Sequence, residues 1–311
     1  MKIGVVIMLV ELKDLRRALS FPEIRRTATH CEELGFDSIW VYDHFLYRTK
    51  KGATTGIWEG WSMLSALAAC TQRVEIGPLV TCNSFRNPAL LAKMAHTVDE
   101  ISRGRLVLGV GAGWNQPEYD AFGFPFDHRV DRFEEALQII QPLLKEGHVD
   151  FAGKYYSARN CEITPRSPRP GGPPLMIGAR KPRMLRLTAQ YADLYNAGYM
   201  SFPRSTTAPL RALKKACKEM GRDPATLPYT FMVSLAYPDL LGWDPSKKRS
   251  GLSGSVEEIA RVLAEYEALG AAHLMFHLIP STPTAYARLA EAVQMYRKIP
   301  IQTLKKRPAI K

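Results

Sequence analysis

At 311 residues the chain could hold two ordinary domains or one large one, and 46% hydrophobic against 23% charged residues is the composition of a globular protein with a sizeable core. Five cysteines, Cys31, Cys70, Cys82, Cys161 and Cys217, are odd in number and scattered with no Cys-x-x-Cys pair, which speaks against a disulfide framework and a zinc site. The net charge of +12 comes without a recognised nucleic-acid module, so an anionic small ligand or mere solvated surface is expected rather than nucleic acid.

The opening run Ile3 to Val10 is too short to span a bilayer and no small-residue cleavage site follows it, so a cytoplasmic protein with no membrane partner is expected. Lys2 to Met8 reads as a first strand. Ser20-Phe21-Pro22-Glu23 is a capping box with proline in the first turn, and Ile24, Ala28, Cys31 and Leu34 then recur at helical spacing up to Gly35. Ser38 to Tyr42 is the next strand, with Asp43-His44-Phe45 at its end. A helix through Trp61 to Cys70, a strand Val74 to Val80, a loop Thr81 to Pro88 and a helix Ala89 to Ile101 repeat the pattern.

Leu106, Val107 and Leu108 form a short strand buried on both faces, and Gly109, Gly111 and Gly113 fall where it turns out of the sheet. Their spacing is not that of the dinucleotide fingerprint. Trp114 and Asn115 follow, then an aromatic loop (Tyr119, Phe122, Phe124, Phe126) and a helix from Val130 to Leu144.

Residues 147–174 are rich in glycine and proline and read as an insertion or long loop. Strands resume at Leu175 to Ile177, with Gly178 to Arg183 at the end and a helix from Arg183 to Tyr191. Leu194 to Ala197, a helix Leu210 to Met220 and Tyr229 to Ala236 come next. A second irregular stretch, 237–254, holds Trp243, Pro245 and Lys247-Lys248-Arg249, and basic residues return in the tail at Lys305-Lys306-Arg307. Ser255 to Glu258 is another capping box; its helix ends at Leu269-Gly270, before strand His273 to Leu278 and a last helix Pro283 to Arg297.

Eight strands each followed by a helix predict a single α/β domain over 1–311, a (β/α)8 TIM barrel with insertions after strand 4 and strand 7, near 147–174 and 237–254. Loops at the strand C-termini then build one mouth, while the Leu-Gly joints of the two capping-box helices fall at the opposite face. At that mouth His44, with Asp43 beside it, is the candidate to carry a proton or to hydrogen-bond a heterocycle, and no residue pattern there points to a metal. Arg180, Lys181 and Arg183 crowd a helix N-terminus, where positive side chains oppose the helix dipole unless an anion sits among them.

Phe36 to Phe45, Arg86 to Lys93, Arg103 to Asn115 and Arg132 to Leu137 resemble the bacterial luciferase-like superfamily, and within it the deazaflavin (coenzyme F420)-dependent oxidoreductases. The resemblance implies a hydride passing between the deazaflavin C5 and a small organic substrate, with His44 as proton donor and Asp43 at the ring. It implies ring contacts at Leu79, Val80 and Cys82, with a non-prolyl cis peptide at Leu79-Val80 behind the ring. Ribityl contacts fall on Ala112 and Gly113, with Asn115 close by, and the phosphate loop runs from Ala179 through Arg180, Lys181 and Arg183 to Met184. Arg180 and Lys181 stand where relatives often have glycines. Trp114 replaces the acid of the sugar-phosphate dehydrogenases, and Ala112 stands where luciferase has an arginine on the FMN phosphate. The alternative cofactor is FMN, in a monooxygenase that forms a flavin peroxide and draws on a flavin reductase. The resemblance also admits a homodimer.

Overall fold

The computed structural model describes residues 1–12, 15–48, 52–242 and 251–299. Trp243, Pro245, Lys247 to Arg249 and the basic tail at Lys305 to Arg307 therefore lie outside the described residues.

In chain order the first half comprises β1 (Lys2–Val6), α1 (Phe21–Glu33), β2 (Ser38–Val41), β3 (Leu46–Arg48), β4 (Thr54–Gly56), α2 (Gly60–Cys70), β5 (Glu75–Pro78), β6 (Thr81–Cys82), α3 (Pro88–Ile101), β7 (Leu108–Gly111), α4 (Gln116–Phe122) and α5 (Arg129–Lys145). The second half comprises β8 (His148–Ala152), β9 (Ser157–Glu162), β10 (Leu175–Gly178), α6 (Pro182–Tyr191), β11 (Leu194–Tyr199), α7 (Thr207–Glu219), β12 (Tyr229–Ala236), α8 (Val256–Ala268), β13 (His273–Ile279) and α9 (Pro283–Arg297).

One parallel sheet runs β5-β2-β1-β13-β12-β11-β10-β7-β6. Its two ends are halves of the same third barrel strand. β5 pairs with β2, β6 pairs with β7, and Ile76 closes the ring by donating to the Arg105 carbonyl and accepting from Val107 N–H at 3.0 and 2.9 Å. The fold is thus the expected barrel. The Leu79-Val80 peptide between the halves is cis, as the resemblance implied.

Both faces of the sheet are apolar because one meets the helices and the other fills the barrel. Val6, Met8, Trp40, Leu79, Val107, Met176, Met232 and Met275 form the inner plug, while Ile3, Val5, Ile39 and Val41 pack outward with α1 residues Ile24, Ala28 and Cys31. Each such buried aliphatic side chain contributes about 1.5–3 kcal/mol. Helix starts are fixed locally: the capping boxes at Ser20/Glu23 and Ser255/Glu258 are both formed, and the Glu59 carboxylate accepts from Trp61 and Ser62 N–H to start α2.

Three expectations change. Residues 147–174 are not simply a loop, since β8 and β9 pair as an antiparallel hairpin whose turn is held by Glu135, accepting from the N–H groups of Lys154, Tyr155 and Tyr156. Gly109 and Gly111 lie inside β7 rather than beyond it. A Cβ on Gly109 would come within 2.2 Å of the Pro78 carbonyl, so glycine here lets two strands approach. The aromatic loop holds a short helix, α4, and a small hairpin, β3–β4, follows β2.

Candidate functional site

A cleft of about 260 Å³ opens at the C-terminal ends of the barrel strands. Of the expected site residues, Asp43, His44, Leu79, Val80, Cys82, Gly113, Ala179 and Arg180 border it, whereas Ala112, Asn115, Lys181, Arg183 and Met184 do not.

His44 follows β2 and its Nδ1 lies 2.8 Å from Oε1 of Glu118, a residue of α4 that is 1% exposed. The other carboxylate oxygen of Glu118 accepts from Phe45 N–H at 2.9 Å, so the acid is clamped from two sides. Tyr47 and Trp114 flank the imidazole, with ring centroids 4.7 and 5.6 Å away. Among the described residues His44 Nε2 has no hydrogen-bond partner. A carboxylate on Nδ1 favours the tautomer protonated there and leaves Nε2 to accept or, once protonated, to donate.

Asp43 borders the cleft but spends its carboxylate within the protein. Its carboxylate is wholly taken up, by a bidentate pair with Arg86 at 2.8 and 2.9 Å and by Cys82 N–H at 2.9 Å. Arg86 reaches on to Glu59 at 2.6 Å. Burial pushes the Asp43 carboxyl above its ordinary value, and Arg86 opposes that push. The network ties the end of β2, the third strand and the start of α2 into one block. Asp43 therefore sets the position of the loop beneath the cleft.

The Cys82 thiol sits 2.9 Å from the Tyr119 hydroxyl, and burial pushes it up to about 12, so it is no nucleophile at neutral pH. Gly113 adopts φ +76°, and a Cβ there would collide with the Tyr119 hydroxyl and the Cys82 sulfur. Its glycine is demanded by protein packing as much as by any ligand. Asn115 is buried and donates to the Leu46 carbonyl at 3.0 Å, fastening the β3–β4 hairpin instead of facing the cleft.

The basic corner also divides. Arg180 borders the cleft and donates to the carbonyls of Ala197 and Tyr199 at 2.9 and 3.1 Å, holding its guanidinium at the rim. Lys181 is the N-cap of α6 and offers no acceptor to the first turn, which has no acidic residue either. Arg183 is paired with Asp131 and Glu134 on α5, so the positive charge expected to call for an anion is already met by protein. Met184 packs in the core. Sequence reading missed Glu118, Arg86 and Glu59, because acids and bases that meet only across loops leave no periodic trace; Arg86 did lie in a recognised segment, but no role followed from that.

The chain matches a family model described as luciferase-like monooxygenase over residues 1–239. It is 33% identical over 209 residues to the phthiodiolone/phenolphthiodiolone dimycocerosates ketoreductase of Mycobacterium sp. (strain JLS), covering 61% of this chain and 55% of that one. The chain spans about half the length of the curated relatives it matches. Among solved structures, an F420-dependent secondary alcohol dehydrogenase in complex with an F420-acetone adduct aligns with a TM-score of 0.78 at 20% identity, covering 96% of this chain and 99% of that one. The oxygenating constituent of 3,6-diketocamphane monooxygenase from Pseudomonas putida, in complex with FMN, aligns with a TM-score of 0.70 at 17% identity, covering 96% and 99%. These likenesses establish the fold, and proteins that share it use either cofactor.

Proposed function

This chain belongs to the luciferase-like monooxygenase family, and from that premise we propose that it is an F420-dependent oxidoreductase acting on a small organic substrate, with 1–311 as one barrel domain. The observation that carries the reading is the His44–Glu118 pair, 2.8 Å apart, at the edge of the cleft.

The residues present fit such a cofactor. Gly178 and Gly198 leave the rim without side chains, and Arg180 offers a fixed cation beside the uncapped start of α6, whose first-turn N–H groups suit a phosphate. When bound, the deazaflavin would supply the two-electron chemistry of hydride exchange at its C5. We assign its contacts to Leu79, Val80, Cys82, Gly113, Ala179 and Arg180. Asp43 supports them from below through Cys82 N–H and Arg86. His44 Nε2 carries the proton that must accompany hydride transfer to or from a carbonyl or an unsaturated carbon, and Glu118 on Nδ1 holds the ring in the orientation that leaves Nε2 free. The name of the mycobacterial relative, a ketoreductase, agrees with that division of labour.

Titrating the purified protein with F420 and separately with FMN, by quenching of Trp114 fluorescence, tests the proposal. Trp114 is 67% exposed and its ring meets His44. F420 should bind at micromolar concentration or below, and FMN far more weakly. Preference for FMN would replace the reading with an FMN-dependent monooxygenase, and binding of neither would withdraw both.

A further inference from the structure

Along each barrel strand every second side chain points inward. In β2 the inward series is Ser38, Trp40 and then Tyr42 just past its end, and in β13 it is His273, Met275 and His277. Tyr42 and His277 therefore stand one layer above the apolar plug, at the mouth. In β11 the register shifts between Asn196 and Tyr199, bringing Tyr199 level with Met232. A shift of this kind re-aims one side chain, here Tyr199, over the barrel.

The three groups meet. The hydroxyls of Tyr42 and Tyr199 are 3.0 Å apart, and His277 Nδ1 lies 3.1 Å from the first and 2.9 Å from the second. The Tyr42 hydroxyl also lies 3.4 Å from Sδ of Met232, a residue of the cleft. The cluster thus lies at the ends of β2, β11 and β13 and meets the cleft through Met232. Val10 and Leu12, like Tyr42, pack against the apolar plug.

With His277 accepting at Nδ1, the triangle holds three heavy atoms at hydrogen-bond distance but only two hydroxyl protons. One phenol can satisfy Nδ1 while the other turns its proton outward. Burial pushes both tyrosines up and His277 down, so the cluster is polar yet uncharged at neutral pH. A site built to bind a carboxylate or phosphate would place charge here. Arg180 reaches β11, but its guanidinium is committed to the carbonyls of Ala197 and Tyr199.

Resting on the oxidoreductase reading above, we infer that Tyr42, Tyr199 and His277 form the substrate-oxygen site of this protein, hydrogen-bonding the carbonyl or hydroxyl of an uncharged, largely apolar substrate. One phenol donates to that oxygen while the other donates to His277 Nδ1, which orients the pair. The substrate oxygen then lies between this group and His44 Nε2, which exchanges its proton.

The test uses 2-heptanone and acetophenone, each ¹³C-labelled at the carbonyl, with heptanoate as the charged counterpart, each with and without oxidised F420. Affinity is read by calorimetry and the carbonyl stretch by infrared spectroscopy. The ketones should bind the wild-type protein with a lowered stretching frequency, and heptanoate should bind at least tenfold more weakly. Tyr42→Phe and Tyr199→Phe should each weaken ketone binding about five- to tenfold and return the frequency toward its free value. His277→Gln, which keeps an acceptor, should retain more affinity than His277→Phe. Tyr229→Phe, which removes a hydroxyl donating to the Leu269 carbonyl, is the control and should change neither readout. A lowered frequency that survives both tyrosine variants, heptanoate binding as tightly as the ketones, or no ketone binding at all would overturn the inference. Failure of F420 to bind, with the ketone results intact, would overturn the cofactor reading alone.

Discussion

The two ends of the barrel each carry a hydrogen-bonded histidine. At the N-terminal end His273 Nε2 lies 2.7 Å from the Ser38 hydroxyl, which also accepts from Trp40 Nε1 at 2.7 Å. Protein encloses that imidazole, and burial pushes it down to about 3. At the C-terminal end His44 has a carboxylate on one nitrogen, a cleft beside it and a second nitrogen without a protein partner among the described residues. The residue type is the same and so is the presence of a partner. What separates structure from chemistry is a missing neighbour on one side, which the barrel provides only where its strands end.

The sharpest way to break this contrast is at the open end. His44→Ala should lower kcat about 10²- to 10⁴-fold while leaving the melting temperature nearly unchanged, measured as hydride exchange with F420 and a ketone or alcohol panel. Glu118→Gln should fall between that variant and the wild type. Undiminished turnover in His44→Ala would make the two histidines alike. Next in size, Asp43→Ala leaves Arg86 buried with only Glu59 against it. A loss of about 3–5 kcal/mol in chemical denaturation is expected, and an unchanged midpoint would mean that the Asp43–Arg86 block does not hold the mouth together.

The enclosed end predicts a pH effect. Because the folded value of His273 lies below its unfolded one, the unfolded chain takes up the proton first, and stability falls as pH drops from about 6.5 toward 3. The slope from this group is at most about 1.4 kcal/mol per pH unit. His273→Gln should flatten the wild-type profile within that window and leave it parallel above pH 7. Profiles parallel throughout would show that His273 does not stay neutral in the fold. The smallest effects separate two neighbouring arginines: Arg180→Ala should weaken F420 binding about tenfold, whereas Arg183→Ala, which removes a cation already paired with Asp131 and Glu134, should change it less than twofold. Equal losses would restore the undivided basic corner.

Much of the barrel was legible because strands buried on two faces and helices buried on one leave distinct periods in the chain. The strand at Tyr229–Ala236 and the helix at Pro283–Arg297 were placed to the residue. The β8–β9 hairpin was not, since an exposed strand carries little apolar alternation and its glycine and proline content resembles a loop. Side-chain partnership was harder still. Asp43 and His44 could be placed at the mouth from their strand, but Asp43 turning to Arg86 and His44 to Glu118 depends on contacts across 43 and 74 residues of chain. The Tyr42–Tyr199–His277 triangle was invisible for the same reason. Its members are inward-facing positions on three strands, and one of them owes its aim to a register shift.

Gly178 shows how the cleft comes to exist. A filled barrel has no spare interior, so a hollow must be made by leaving something out, and at Gly178, which borders the cleft at the end of β10, an added Cβ would sit 3.2 Å from a methyl of Val80, another bordering residue. The volume available to a ligand is therefore adjustable by a single substitution at a strand end. For evolution or for engineering, that makes substrate size a quantity that can drift without remodelling any loop. Gly178→Ala would narrow the pocket while the His44–Glu118 pair keeps its arrangement.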